Sequence, residues 1–400
     1  MPYLPQNANM HSKRPLTLYL IYSIFVFILL SALAINLLRA KNNTLNTTVT
    51  ETIPVSPADE ITVHKSLTNK NVGIFLEQKM KICASMGTSH ACYKNLANEL
   101  SASFSLKDNL AIIAKNEDIP QIYNRCHELT HYLGRNEYQK TKNISASYVS
   151  CNSTCQGGCY HGVTEEYLHE KNLSIDSSQF ETSIKEMCGK SADYQRPYIY
   201  FECLHGTGHA AMFITDNNLF QSLQICDLLQ NKSYEDTCYS GVFMENSSSS
   251  TGTDHPSKFI KAEDPLYPCN ALEQKYQQVC YRYQSSYFAI LTHQDWKKTS
   301  ELCLKTPRQY QKDCFSTIGS SQVGFTQDKK IMNASCMSVP TEFQQICIES
   351  VITSMATRFV DDLMRLNSFC SLVSKEYQSA CYQTVKTATG SWKISNFVAK

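Results

Sequence analysis

Five of the chain's 11 histidines fall in three short phrases, each opened by a cysteine. They are CHELTHYLGR, with His127 and His131; CYHGVTEEYL, with His161 and Glu165; and CLHGTGHAAM, with His205 and His209. A fourth phrase, CYSGVFMEN, echoes the spacing by placing Gly241 and Glu245 four apart. Side chains four apart share a helix face, so a histidine pair at that spacing can grip one metal ion through two nitrogens. With the three helices side by side, His127, His131, His161, Glu165, His205 and His209 come within reach of one or two ions, with Glu245 at the margin. Imidazole with carboxylate suits zinc, copper or iron. The glycines at 162, 206 and 241 let such helices approach closely. The opposing expectation is a polar core, with imidazoles capping helix starts or satisfying buried carbonyls. A single histidine fits that better than three phrases in register do.

His127, Glu128 and His131 also spell HExxH, and Gly134 extends it to HExxHxxG, which resembles the zincin metallopeptidase signature. The resemblance implies zinc on His127 and His131, with Glu128 as the catalytic group that polarises water. It covers only this one phrase. The metzincin third-ligand position holds Glu137 rather than histidine, and the sequence offers neither a Met-turn nor the strands of a zincin upper domain. The sister phrases repeat the histidine spacing without a glutamate beside the first histidine. The remaining histidines, His11, His64, His90, His169, His255 and His293, stand alone and are expected at the surface.

Positioning these residues falls to the cysteines, 18 in all. Nine of them open similar phrases: Cys92, Cys126, Cys159, Cys203, Cys238, Cys280, Cys314, Cys347 and Cys381. Six of the eight steps between them are 33 to 35 residues, the period of stacked supersecondary units. Upstream partners stand at Cys83, Cys188, Cys226, Cys269, Cys303, Cys336 and Cys370, the last four each 11 positions before theirs. On one continuous helix that step would part the Cα atoms by about 16 Å, beyond the ~7 Å a disulfide tolerates. The chain must fold back, and Thr306-Pro307, Pro340 and Ser374 supply turn signals. Each unit therefore reads as helix, tight turn, helix. Cys126 lacks an upstream partner while Cys151 and Cys155 both precede Cys159, so Cys126 is expected to bond one of those two. The plan resembles the disulfide-bridged Sel1-like repeats of secreted bacterial proteins in architecture alone; their small-residue consensus and cysteine spacing are absent, and no function carries over.

The expected fold is thus all-α, a solenoid-like array of about nine disulfide-bridged helical hairpins behind an N-terminal transmembrane helix. Residues 16–38 are 23 in number and uncharged, enough to span a bilayer as an uncleaved signal anchor after a short cytosolic segment, 1–15. A polar stalk is expected over 39–70, histidine-bearing repeats over 71–245, an exposed loop over 246–265 and further repeats over 266–400. All cysteines lie C-terminal to the apolar run, which places that side in an oxidising extracellular, periplasmic or luminal space. Eight N-x-S/T sequons fit a glycoprotein of the secretory route. With 37 Lys plus Arg against 36 Asp plus Glu, no charge field gathers nucleic acid. The functional expectations are a membrane-anchored metal centre with a redox, hydrolytic or metal-handling role, an HExxH zinc hydrolase, or a scaffold that binds a protein partner through the C-terminal repeats.

Overall fold

The computed structural model describes residues 67–392, apart from 69, 87–89, 172–176, 190–196, 249–256 and 360–361. The segments 1–15 and 16–38 and most of the expected stalk lie outside the described residues, and so does part of the 246–265 loop. Among the described residues there are 17 α-helices and no strand, and no helix is long and apolar enough to cross a membrane.

The helices fall into hairpins. These are α1 (Val72–Ser85) with α2 (His90–Ser103), α3 (Leu106–Lys115) with α4 (Pro120–Thr141), and α5 (Ile144–Ser150) with α6 (Gly158–Glu170). Next come α7 (Ser177–Cys188) with α8 (Pro197–Ile214) and α9 (Leu219–Asp227) with α10 (Lys232–Ser248). In the sixth hairpin a 3-10 turn, Cys269–Ala271, replaces the short helix before α11 (Gln274–Leu291). The last three are α12 (Trp296–Leu304) with α13 (Arg308–Phe325), α14 (Lys329–Met337) with α15 (Thr341–Arg358), and α16 (Leu363–Cys370) with α17 (Lys375–Trp392). From α4 onward the second helix of each hairpin packs against that of the next.

Local chemistry explains the regularity. Short helices begin on side chains that accept a backbone N–H: Ser105, Asn143, Asn218, Asp295, Asp328 and Asp362. Pro307 and Pro340 cap α13 and α15, where a missing N–H costs nothing. A glutamine three residues before the second cysteine reaches back to carbonyls at or just beyond the end of the first helix or turn: Gln277 to Leu272, Gln311 to Leu304, Gln344 to Met337 and Gln378 to Val373. All 18 cysteines are paired, with Cα–Cα distances of 5.5 to 5.7 Å. The irregular one resolves as Cys126–Cys155, with Cys151–Cys159 beside it. Between units, the aromatic residue after one cysteine meets the aromatic four before the next: Tyr239 with Tyr276, Tyr281 with Tyr310, and Phe315 with Phe343, at ring-centroid distances of 5.0, 5.3 and 4.2 Å. Each such contact adds about 0.5–1.5 kcal/mol beyond its buried area.

The array also doubles back on itself. Tyr123 on α4 donates its hydroxyl proton to the Val323 carbonyl of α13 and stacks on Phe359. Arg358 Nε lies 2.6 Å from Glu117 Oε1, and its Nη2 donates to the Tyr123 carbonyl at 2.6 Å. Burial raises the Glu117 pKa, and the Arg358 charge opposes that rise. One sequon asparagine is placed unlike a surface acceptor: Asn246 is 1% exposed, and its Oδ1 accepts from the Ser257 hydroxyl.

Candidate metal centre

Four neighbouring long helices build the site. α4 carries His127 and His131, α6 carries His161 and Glu165, α8 carries Glu202, His205 and His209, and α10 carries Ser240 and Glu245. Glycines set the helix separation. A Cβ on Gly162 would stand 1.8 Å from the His131 carbonyl oxygen, and one on Gly241 2.0 Å from that of His205. Gly134 and Gly208 have the same function, with 2.2 Å to the Cys159 oxygen and 2.1 Å to that of Cys238. α4 runs unbroken through Gly134, so this glycine is a helix-packing contact rather than the turn of a zincin.

The five imidazoles converge. His127 Nε2 and His131 Nε2 are 3.1 Å apart, His131 Nε2 and His161 Nδ1 are 3.3 Å apart, and His205 Nε2 and His209 Nε2 are 3.2 Å apart. Two triads, His127–His131–His161 and His161–His205–His209, each bring their ligand atoms within 4.8 Å of one another and could hold a metal ion. His161, His205 and His209 are buried, and His127 and His131 partly so.

Each ring is held from behind by its other nitrogen. His127 Nδ1 donates to the Cys155 carbonyl at 2.7 Å, a group that can only accept. His131 Nδ1 faces Glu165 Oε1 at 3.0 Å, and His209 Nδ1 faces Glu245 Oε2 at 2.9 Å, both carboxylates. Ser240 gives its hydroxyl proton to the Thr237 carbonyl at 2.6 Å, so it accepts from His205 Nδ1 at 2.6 Å. His161 is reversed: Nε2 donates to Glu202 at 2.7 Å, which leaves the Nδ1 lone pair toward His131. In their neutral forms, all five rings therefore turn a lone pair inward.

Lone pairs facing across 3.1 to 3.3 Å repel unless positive charge lies between them. A proton can serve one such contact. A metal ion serves three or more, and nitrogens about 2.0–2.1 Å from one ion stand roughly 2.9–3.4 Å apart at right or tetrahedral angles. Burial, followed by the neighbouring imidazoles, pushes the His127 pKa down to about 3 and those of His161 and His205 well below the ordinary range, so protons are poorly held there. Burial would raise the Glu165 carboxyl, yet His131 and Arg135 hold it well below the usual carboxylate range; its Oε2 accepts from Arg135 at 2.9 Å.

Glu165, expected among the ligands, and Glu245, at their margin, thus stand behind His131 and His209 and orient them. Glu128 takes a different direction: its Oε1 lies 3.1 Å from His90 Nδ1. His90, expected to stand alone, is therefore partnered across hairpins, whereas His169 and His293 are exposed. Sequence reading missed Glu202, Ser240, Arg135 and the Cys155 carbonyl. Only Glu202 carried a signal, three positions before His205 and one turn away on its face. A third cluster, Glu117 with Cys126 and Cys155, offers no thiolate because the two sulfurs are bonded to each other. No known protein family, curated protein or solved structure matches this chain.

Proposed function

We propose that the chain is a membrane-anchored, extracytoplasmic protein whose repeat array holds a transition-metal ion at a five-histidine centre, for metal handling or electron exchange. The observation that carries this reading is the outward anchoring of all five rings, which aims five nitrogen lone pairs at one another. Histidine ligands of metals characteristically donate their second N–H to a carboxylate or carbonyl, which fixes the tautomer and strengthens the donor. Neutral nitrogen donors without thiolate suit zinc, copper(II) or iron. Anchoring through residues 16–38 and the oxidising location rest on the apolar run and on the fully paired cysteines.

The test is metal analysis of the untagged full-length chain. At least one equivalent of metal is expected to copurify or to bind tightly on addition, and His131→Ala with His205→Ala should abolish it. If no zinc, copper or iron copurifies or binds, the metal centre is refuted and the imidazoles are a proton-bridged polar core.

A further inference from the structure

Glu128, the residue singled out by HExxH, belongs to neither histidine triad. It lies one position from His127 and three from His131 on α4, beside the centre yet facing α2. Side-chain exposure is 41% at His90, 21% at Glu128, 12% at His131 and 2% at His161. His90 Nδ1 lies 3.1 Å from Glu128 Oε1 and 3.0 Å from the Tyr132 hydroxyl.

Two oxygens here lack a hydrogen bond. Glu128 Oε1 is shielded from solvent with the His90 imidazole beside it but no aligned hydrogen bond, and Tyr93, one turn along α2 from His90, is fully buried with its hydroxyl unpaired. Burial, then the Glu128 charge, pushes that hydroxyl up to about 12, so phenol and carboxylate are electrostatic neighbours. Buried oxygens of this kind ordinarily find water or a cation. One carboxylate, one imidazole and phenolic oxygens make a donor set that binds a divalent ion less firmly than clustered imidazoles.

We propose that Glu128, His90 and Tyr132 form an outer cation seat that captures a divalent metal ion at the surface and passes it to His131 and His127. This role rests on the metal-centre reading above. The transfer is a ligand exchange in which the ion leaves Glu128 oxygen for imidazole nitrogen on the same helix. No covalent bond changes and no redox partner is required.

The experiment strips the full-length chain with chelator, mixes it with cobalt(II) near neutral pH, and follows uptake by d–d absorption. Removing the capturing charge in Glu128→Gln should slow uptake about tenfold or more, in line with the electrostatic focusing of ions. Glu128→Asp should load close to the wild-type rate, and His90→Ala should fall between. Final cobalt content should be equal in all, with matched helical circular dichroism. An unchanged rate in Glu128→Gln overturns the loading role. Loss of cobalt capacity in that variant also overturns it, because Glu128 would then belong to the inner centre. A wild-type chain that takes up neither cobalt nor any ion found by metal analysis overturns the centre itself, and the loading role with it.

Discussion

Replacing Gly162 by alanine tests whether helix contact sets the metal geometry. The added Cβ would stand 1.8 Å from the His131 carbonyl oxygen, whereas carbon and carbonyl oxygen ordinarily approach to about 3.3 Å. α6 must therefore retreat by roughly 1.5 Å from α4. His161 rides on α6, so its 3.3 Å separation from His131 would open well past 4 Å. Two nitrogens bound to one ion cannot be more than about 4.2 Å apart, so the His127–His131–His161 triad would lose a ligand. Overpacking of this kind costs about 1–3 kcal/mol or more, offset by at most ~1 kcal/mol from alanine's better helix propensity. Gly324 is the control, because a Cβ there meets nothing within 4 Å. Denaturant unfolding with disulfides intact should show Gly162→Ala destabilised and Gly324→Ala unchanged or up to ~1 kcal/mol more stable. Metal content should fall in the first variant alone. A Gly162→Ala protein as stable as Gly324→Ala, with full metal content, would refute the argument.

Two further outcomes follow from buried charge. Arg358→Met leaves the Glu117 carboxyl buried beside the lost guanidinium, so a destabilisation of about 3–5 kcal/mol is expected in denaturant titration, partly relieved by Glu117→Gln in the same chain. In the metal-free protein, His127, His161 and His205 have folded pKa values below the unfolded value, so the unfolded state binds more protons on acidification. All three contributions are fully present above pH ~6.5 and decline as pH falls, that of His127 being lost toward about 3, with each histidine adding a slope of about 1.4 kcal/mol per pH unit. Stability that is flat over that interval in unfolding curves would contradict the burial of these rings.

The hairpins and most bridges were legible because a disulfide ties spacing to geometry. Eleven residues cannot separate bonded cysteines on a straight helix, and the turn residues stood where the chain must reverse. The histidines were legible through their recurrence four apart. Their outward partners were not, because a carbonyl such as that of Cys155 has no side-chain signature and Ser240 looks like any serine. Nor did the sequence foretell the doubling back: Glu117 and Arg358 are 241 positions apart, and no periodic pattern joins them. Glu165 occupies the histidine register, which points to a ligand, but its length lets it reach behind His131 to Arg135.

The Cys126–Cys155 bridge bears on how the molecule is made. Eight bridges join cysteines only 8 to 15 positions apart, so each can close once its own two helices exist. Cys126 alone must wait, across 29 positions, for a partner interleaved between Cys151 and Cys159. An early Cys126–Cys151 mispairing would displace the Cys155 carbonyl that fixes the tautomer of His127. Correct pairing at this one junction therefore couples the covalent frame to a correctly aimed nitrogen.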